Sequence, residues 1–254
     1  MSAESAGEPV FRTAISNYDR DHIWLRGHEI TGLMTGRSFG EVVFLLLTGR
    51  PATKGEAAIF DAMLIASSDH GPNPPSTMAS RVIASGNRAA IEAAIAGGVL
   101  AIGDAHGGAG EGLMRLISES LGRTPDPEAA ARHLVQSAVA SRRRLPGFGH
   151  RIHAVDPRQV ALFALARQHG IAGKGVAFVE AMQAELASAG RALPINVDGA
   201  IGALLYDLHL PPHLGKIVFI IGRVVGLSAH ALEELSRERP MRFHFPFAYD
   251  GPQP

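Results

Sequence analysis

Twice in this chain an Asp-Pro pair opens straight onto an alanine-rich run. Asp126-Pro127 leads into the segment ending at Ser141, and Asp156-Pro157 into the one ending at Gln168. Aspartate accepts from the free amides of a first helical turn, and proline fits the first helical position, where its missing N–H is no loss. Two helix starts are therefore predicted, and Gly170 is the natural stop of the second. Ala89 to Ile102, Ala177 to Ala189, Leu214 to Val225 and Ser228 to Arg237 also carry apolar residues at helical spacing. With 39 alanines against 3 tyrosines and 1 tryptophan, the chain favours close helix packing over a β sandwich. The expected fold class is all-α.

The 254 residues, 46% of them hydrophobic, suffice for a sizeable buried core. The 24 basic and 24 acidic side chains cancel, so no overall field favours nucleic acid or an anionic membrane surface. An anionic substrate must be gripped by local arginines. The lack of cysteine rules out disulfides, thiolate metal sites and a cysteine nucleophile, and suits a reducing compartment. Met1 to Val10 have neither the basic start nor the apolar stretch of a secretion signal. Residues 1–14 read as a flexible N-terminal arm ahead of a single domain, 15–254. The longest apolar run, Ile217 to Leu227, is too short to span a bilayer and carries Arg223. A cytoplasmic protein without a membrane partner is expected.

Glycine or proline meets polar side chains in five segments: Asp69 to Pro75, Gly103 to Glu111, Pro146 to Arg158, Asn196 to Gly199 and Arg237 to Arg242. Loops on a rigid helical frame are where chemistry is usually placed. The third is the richest. Its glycines let backbone approach a ligand, His150 can exchange a proton near neutral pH, and Arg158 can grip a carboxylate. His150 and His153 have the spacing of a metal pair on one helix face, but they lie in a loop with no third ligand in view, so no metal is expected. The run Gly107-Gly108-Ala109-Gly110 lacks the spacing and the βαβ setting of a dinucleotide site. Asp198 could cap the helix running to Leu208.

In their order, these segments resemble the citrate synthase superfamily. Gly103-Asp104-Ala105-His106-Gly107-Gly108-Ala109-Gly110-Glu111 is similar to its glycine-rich histidine loop, and Pro146 to Arg158 to its second histidine loop. Asn196-Val197-Asp198-Gly199 resembles the loop bearing its catalytic aspartate, and Leu25 to Ile30 with Ser38 to Gly49 resembles its N-terminal region. Full-length synthases carry a long helical segment before the Asp69-His70 position, and here that gap is nearly closed. Ser68-Asp69-His70-Gly71-Pro72 and Leu100-Ala101-Ile102-Gly103-Asp104 look most like the citryl-CoA lyases, including the C-terminal lyase module of ATP-citrate lyase.

The resemblance implies a compact citrate synthase-like helical fold with large and small parts. It implies a lyase that splits citryl-CoA into acetyl-CoA and oxaloacetate, with no cofactor beyond the coenzyme A of its substrate. The alternatives are a compact citrate synthase, which joins the same pair and hydrolyses the thioester, and a non-catalytic CoA-binding relative. By resemblance, His150 takes the hydroxyl proton, His106 polarises the thioester carbonyl and Asp198 protonates the enolate carbon. His70, Arg158, Arg223 and Arg239 would hold substrate, with Arg239 reaching the neighbouring site of a homodimer. Coenzyme A would meet the backbone of Gly147, Phe148 and Gly149 and the side chains of Arg144, Arg151 and Arg191. Many relatives have a lysine in the stretch matching Arg151 to Val155; none stands here.

Overall fold

Both Asp-Pro pairs start helices as their chemistry requires. The computed structural model describes residues 12–252, so residues 1–11 of the expected arm lie outside the described residues. Asp126 accepts from the Ala129 amide at 2.8 Å and opens α7, Pro127–Ala140. Asp156 accepts from the Arg158 amide at 3.0 Å and opens α8, Pro157–Gln168, which ends at left-handed Gly170. Among the described residues the chain forms eleven helices and one small three-stranded sheet, an all-α architecture.

The chain divides into two compact units, one through Asp61 and one from Ala62. The first holds the antiparallel strands β1 (Ser16–Tyr18), β2 (Ile23–Leu25) and β3 (His28–Glu29), then α1 (Ile30–Gly36) and α2 (Phe39–Thr48). Ser38 and Glu41 form a reciprocal capping box at the start of α2, and Phe44 meets Phe60 edge to face at 5.4 Å. The boundary falls inside α3, Lys54–Ser68.

The second unit contains α4 (Pro75–Gly86), α5 (Ile91–Leu100), α6 (Ala109–Arg123), α7, α8, α9 (Lys174–Ser188), α10 (Val197–Asp207) and α11 (Leu214–Arg237). α4 packs on α5, α7 on α9, and α11 against both α4 and α5. α10 is the central element: Val197 and every residue from Gly199 to Leu205 are buried, and it packs on α6, α8, α9 and α11. It meets α6 through glycines. A Cβ on Gly202 would lie 2.9 Å from the Gly110 carbonyl, so neither helix could carry a larger residue at this crossing.

Two helical expectations change in extent. α9 begins at Lys174, before Ala177, because Asp207 supplies its N-terminus with acceptors from another helix. The stretches through Val225 and from Ser228 join as one helix, α11. Gly226 does not break it: the glycine admits the Ser68 carbonyl, against which any Cβ would collide. α11 is long and apolar enough to cross a membrane, yet Val218, Phe219, Leu227 and Ala231 are used inside the protein.

The Asp207 carboxylate accepts from the amides of Gly173 (2.8 Å), Gly175 (2.6 Å) and Val176 (3.0 Å). Burial nevertheless pushes its pKa up, against the pull of those three amides. This one side chain docks α9 onto the far end of α10. Asp207→Ala should lower unfolding stability by about 2 kcal/mol, since it strips acceptors from partly buried amides. The check is a denaturant midpoint that drops while the slope stays constant.

Candidate active site

The His150 loop is built against the start of α10. Phe148 bridges Ile195, flanked by Gly149 N–H to Pro194 O at 2.8 Å and Asn196 N–H to Gly147 O at 3.0 Å. Asn196 then does two jobs. Its Oδ1 accepts from the Gly199 amide and caps α10, and its Nδ2 donates to the Gly149 carbonyl at 3.0 Å. Asp198 is therefore not the cap; it stands in the first turn of α10.

Beyond that turn the His150 ring folds back on its own loop. Its Nδ1 accepts from the amides of Ile152 (3.1 Å) and His153 (2.9 Å), while its Nε2 lies 3.1 Å from Nε2 of His70. The His153 ring centroid is 4.5 Å from that of His150 and 5.7 Å from that of His70. Burial, Arg158 and His153 hold the His70 pKa below the usual histidine range; burial, His70 and His153 do the same for His150. Both rings therefore favour their neutral forms.

Each of these three imidazoles offers a nitrogen within 4.8 Å of the others. The third ligand missing from the sequence reading is thus His70, brought in from a distant loop. Distance alone would suit a metal ion. His150 does not, because two amides donating into Nδ1 keep its proton on Nε2, and a protonated nitrogen has no lone pair to give.

Asp156 fixes the arginine that faces this cluster. The carboxylate is fully buried, forks the Arg158 guanidinium (Nε to Oδ1 3.0 Å, Nη2 to Oδ2 2.8 Å) and also accepts the Val197 amide at 3.1 Å. Burial alone would raise its pKa, but the hydrogen bonds and charge of Arg158 outweigh it and leave the group below its usual range. Arg158 also reaches the Ala66 carbonyl at 3.4 Å.

Arg223 enters from the middle of α11, only 2% exposed. Its Nε donates to the Ser67 carbonyl at 2.9 Å and its guanidinium carbon lies 4.9 Å from the centroid of the Phe219 ring. Among the described residues its Nη1 has no hydrogen-bond partner. A buried cationic donor left without an acceptor costs several kcal/mol, so this nitrogen is suited to an incoming anion.

His106 sits in a closed turn made by paired hydrogen bonds between Gly103 and His106, at 2.8 and 2.9 Å. Left-handed Gly107 completes that turn, because Phe219 fills the space a Cβ would need. The His106 Nε2 meets the buried Ser76 hydroxyl at 2.8 Å, leaving Nδ1 for another partner. Burial, then Arg223 and Arg151, lower its pKa and keep the ring neutral. Asp198 moves the other way. Burial pushes its carboxyl up to about 6, with Asp156 adding and Arg158 and Arg223 opposing. The side chain keeps some solvent access, so the rise reflects protein crowding around the carboxyl rather than complete loss of water.

Six of the expected residues, His70, His106, His150, Arg158, Asp198 and Arg223, thus share hydrogen bonds or one another's electrostatic field. Others stand apart. The Gly147 carbonyl and both polar backbone groups of Gly149 pair with Pro194 and Asn196 at the entry to α10. Among the described residues the N–H and C=O of the intervening Phe148 meet no backbone partner. Arg144, Arg151 and Arg191 are exposed, and the field of Arg151 reaches His106. Arg239 is exposed beyond the end of α11, whereas Arg223 lies about 21 Å of helix before that end. Within one chain Arg239 does not join the cluster. Ser76, Asp69 and the second role of Asp156 escape sequence reading: each looks like an ordinary turn or cap residue, and only the fold gives it a partner.

Residues 50–244 match the family described as citrate synthase, C-terminal domain. The citrate/2-methylcitrate synthase of Bacillus subtilis is 30% identical over 85% of this chain and 57% of its own length. The chain spans about half the length of the curated relatives it matches, the citrate synthase of Heyndrickxia coagulans among them. The structure of citryl-CoA lyase from Hydrogenobacter thermophilus superposes with TM-score 0.88 and 35% identity, covering 97% of this chain and 96% of that one. ATP citrate lyase from Methanothrix soehngenii, solved with citrate and coenzyme A, shares the fold at TM-score 0.82 and 22% identity, over 96% of this chain and 42% of that one.

Because the pKa of Asp198 is held above its unfolded value, the native state favours the protonated carboxyl. Its contribution is fully present below about pH 4 and is lost as pH rises through about 6. Asp198→Asn removes that loss. The variant should be more stable than the parent at pH 7, by on the order of 2 kcal/mol, and no more stable at pH 4. Denaturant midpoints at the two pH values measure both.

Proposed function

This chain belongs to the citrate synthase family, and from that premise we propose that it is a citryl-CoA lyase, cleaving citryl-CoA to acetyl-CoA and oxaloacetate. The observation that carries the proposal is the proton inventory of the site: neutral imidazoles that share the field of Arg158 with a carboxyl whose pKa is about 6. Cleavage of a β-hydroxy thioester removes a proton from the hydroxyl and later gives one to carbon. A carboxyl held up to that value can still be an acid near neutral pH. The lyase branch is also supported by the resemblance to citryl-CoA lyase along nearly the whole of both chains.

In this reading the free Nη1 of Arg223 and the remaining donors of Arg158 take the substrate carboxylates. His106, its Nε2 turned to Ser76, offers Nδ1–H to the thioester oxygen on which enolate charge develops. The hydroxyl lies at the His70–His150 pair, and Asp198 protonates the methylene carbon. Coenzyme A lies along the Phe148 backbone, with Arg144, Arg151 and Arg191 near its phosphates. Arg239 serves the site of a second copy, and exposed Ile65, Leu100, Val225 and Leu232 supply apolar surface for that contact.

The competing reading is a compact citrate synthase, the name carried by curated relatives. Supplied with acetyl-CoA and oxaloacetate, a lyase should release little free thiol, whereas rapid thiol release would sink the assignment; supplied with citryl-CoA, it should form acetyl-CoA directly. Cleavage needs Asp198 protonated, so kcat/KM for citryl-CoA should fall as pH rises past about 6, and condensation, which needs the carboxylate, should rise over the same range. Mixing Arg239→Ala with His106→Ala, each inactive alone, should restore up to about a quarter of the sites when subunits exchange. No recovery after demonstrated exchange would remove the shared site.

A further inference from the structure

We infer that His70, rather than His150, is the base that removes the substrate hydroxyl proton, while His150 donates its N–H to the same oxygen. The inference rests on citryl-CoA chemistry at this site. It follows from where the protons of the two rings must sit. Nδ1 of His150 accepts two backbone N–H groups, at 3.1 and 2.9 Å. A nitrogen accepting those donors carries no proton, so neutral His150 holds its proton on Nε2. That atom lies 3.1 Å from Nε2 of His70. Two N–H groups cannot face each other at this distance, so Nε2 of His70 is the bare nitrogen. Neutral His70 must then hold its proton on Nδ1, and the ring also interacts with its own backbone. This arrangement keeps both amides on Nδ1 of His150 and pairs the two Nε2 atoms as donor and acceptor. For His150 to be the base, its proton would have to move to Nδ1, against two amides.

The turn carrying His70 is held from outside. Asp69 Oδ2 accepts the Gly71 amide at 2.8 Å, and Asp69 Oδ1 faces Nε2 of His230 on α11 at 3.1 Å. Arg81 on α4 donates to Nδ1 of His230 at 3.1 Å, and arginine can only donate. His230 is therefore the donor to Asp69, and the bare nitrogen of His70 is aimed by two helices.

In the cleavage step, the bond between the hydroxyl-bearing carbon and the thioester methylene breaks, and its electron pair passes into the thioester enolate. The O–H electrons form the ketone of oxaloacetate, and the hydroxyl proton moves to Nε2 of His70, giving an imidazolium. Asp198 then gives its proton to the methylene carbon. The proton on His70 returns through solvent to Asp198, and the count closes.

Glutamine at position 150 keeps an N–H donor and cannot act as a base. His150→Gln should cleave citryl-CoA within about tenfold of the parent, whereas His70→Gln should lose about 10²–10⁴-fold. A loss in His150→Gln as large as in His70→Gln overturns the inference. Side-chain nitrogen NMR of the isotopically labelled, substrate-free protein reads the proton positions without turnover. Nε2–H on His150 and Nδ1–H on His70 are expected, and the reverse pair overturns the inference whatever the kinetics. If the parent protein turns over no citryl-CoA, the functional reading fails, while the spectra still decide the proton arrangement.

Discussion

The buried carboxylate of Asp156 is the interaction on which the rest of the site depends. It starts α8, grips the Arg158 guanidinium with both oxygens and accepts the first amide of α10. One anion thus fixes a helix, the arginine whose field reaches His70 and the turn that presents Asp198. Its burial is tolerable because every lone pair is used by a donor. Removing it would leave Arg158 facing a cluster of imidazoles with no counter-charge and would free the start of α10.

Charge and proton placement in the site are consequences of crowding more than of net charge. Arg158 and Arg223 bear on the same small region and help keep the histidines neutral. They also oppose the rise of Asp198 without cancelling it. The groups stay in forms that can move a proton because the protein sets their hydrogen bonds first: two amides on one face of His150, a serine hydroxyl on one nitrogen of His106, and a capping asparagine beside Asp198.

Much of this was legible in the sequence, for local reasons. An Asp-Pro pair is a helix start wherever it falls, and both pairs behave so. That His70, His106, His150, Arg158, Asp198 and Arg223 come together could be anticipated because their loops, in this order, resemble one family, whereas Arg239 stands apart within one chain. What local reasoning missed is tertiary. Asp207 caps a helix that begins well before it in sequence. His70 completes an imidazole cluster with residues about eighty positions away. The Gly147 carbonyl and the N–H and C=O of Gly149 pair with the strand-like entry to α10, a partner that no local pattern announces. The continuity of α11 through Gly226 was hidden because an isolated glycine reads as a break until a carbonyl is seen filling its place.

That continuity constrains how such a chain can vary. α11 carries Arg223 to the Ser67 carbonyl, His230 to the Asp69 turn and Glu234 to the ion pairs of Arg81 and Arg242. One residue inserted between the first two would rotate everything after it by about 100° and carry it about 1.5 Å along the axis. His230 and Glu234 would leave their partners together, with no loop in between to absorb the shift. A length change is therefore better absorbed in the connections on either side of α11, which keeps a fixed phase as a machine shaft keeps the angle between its cams.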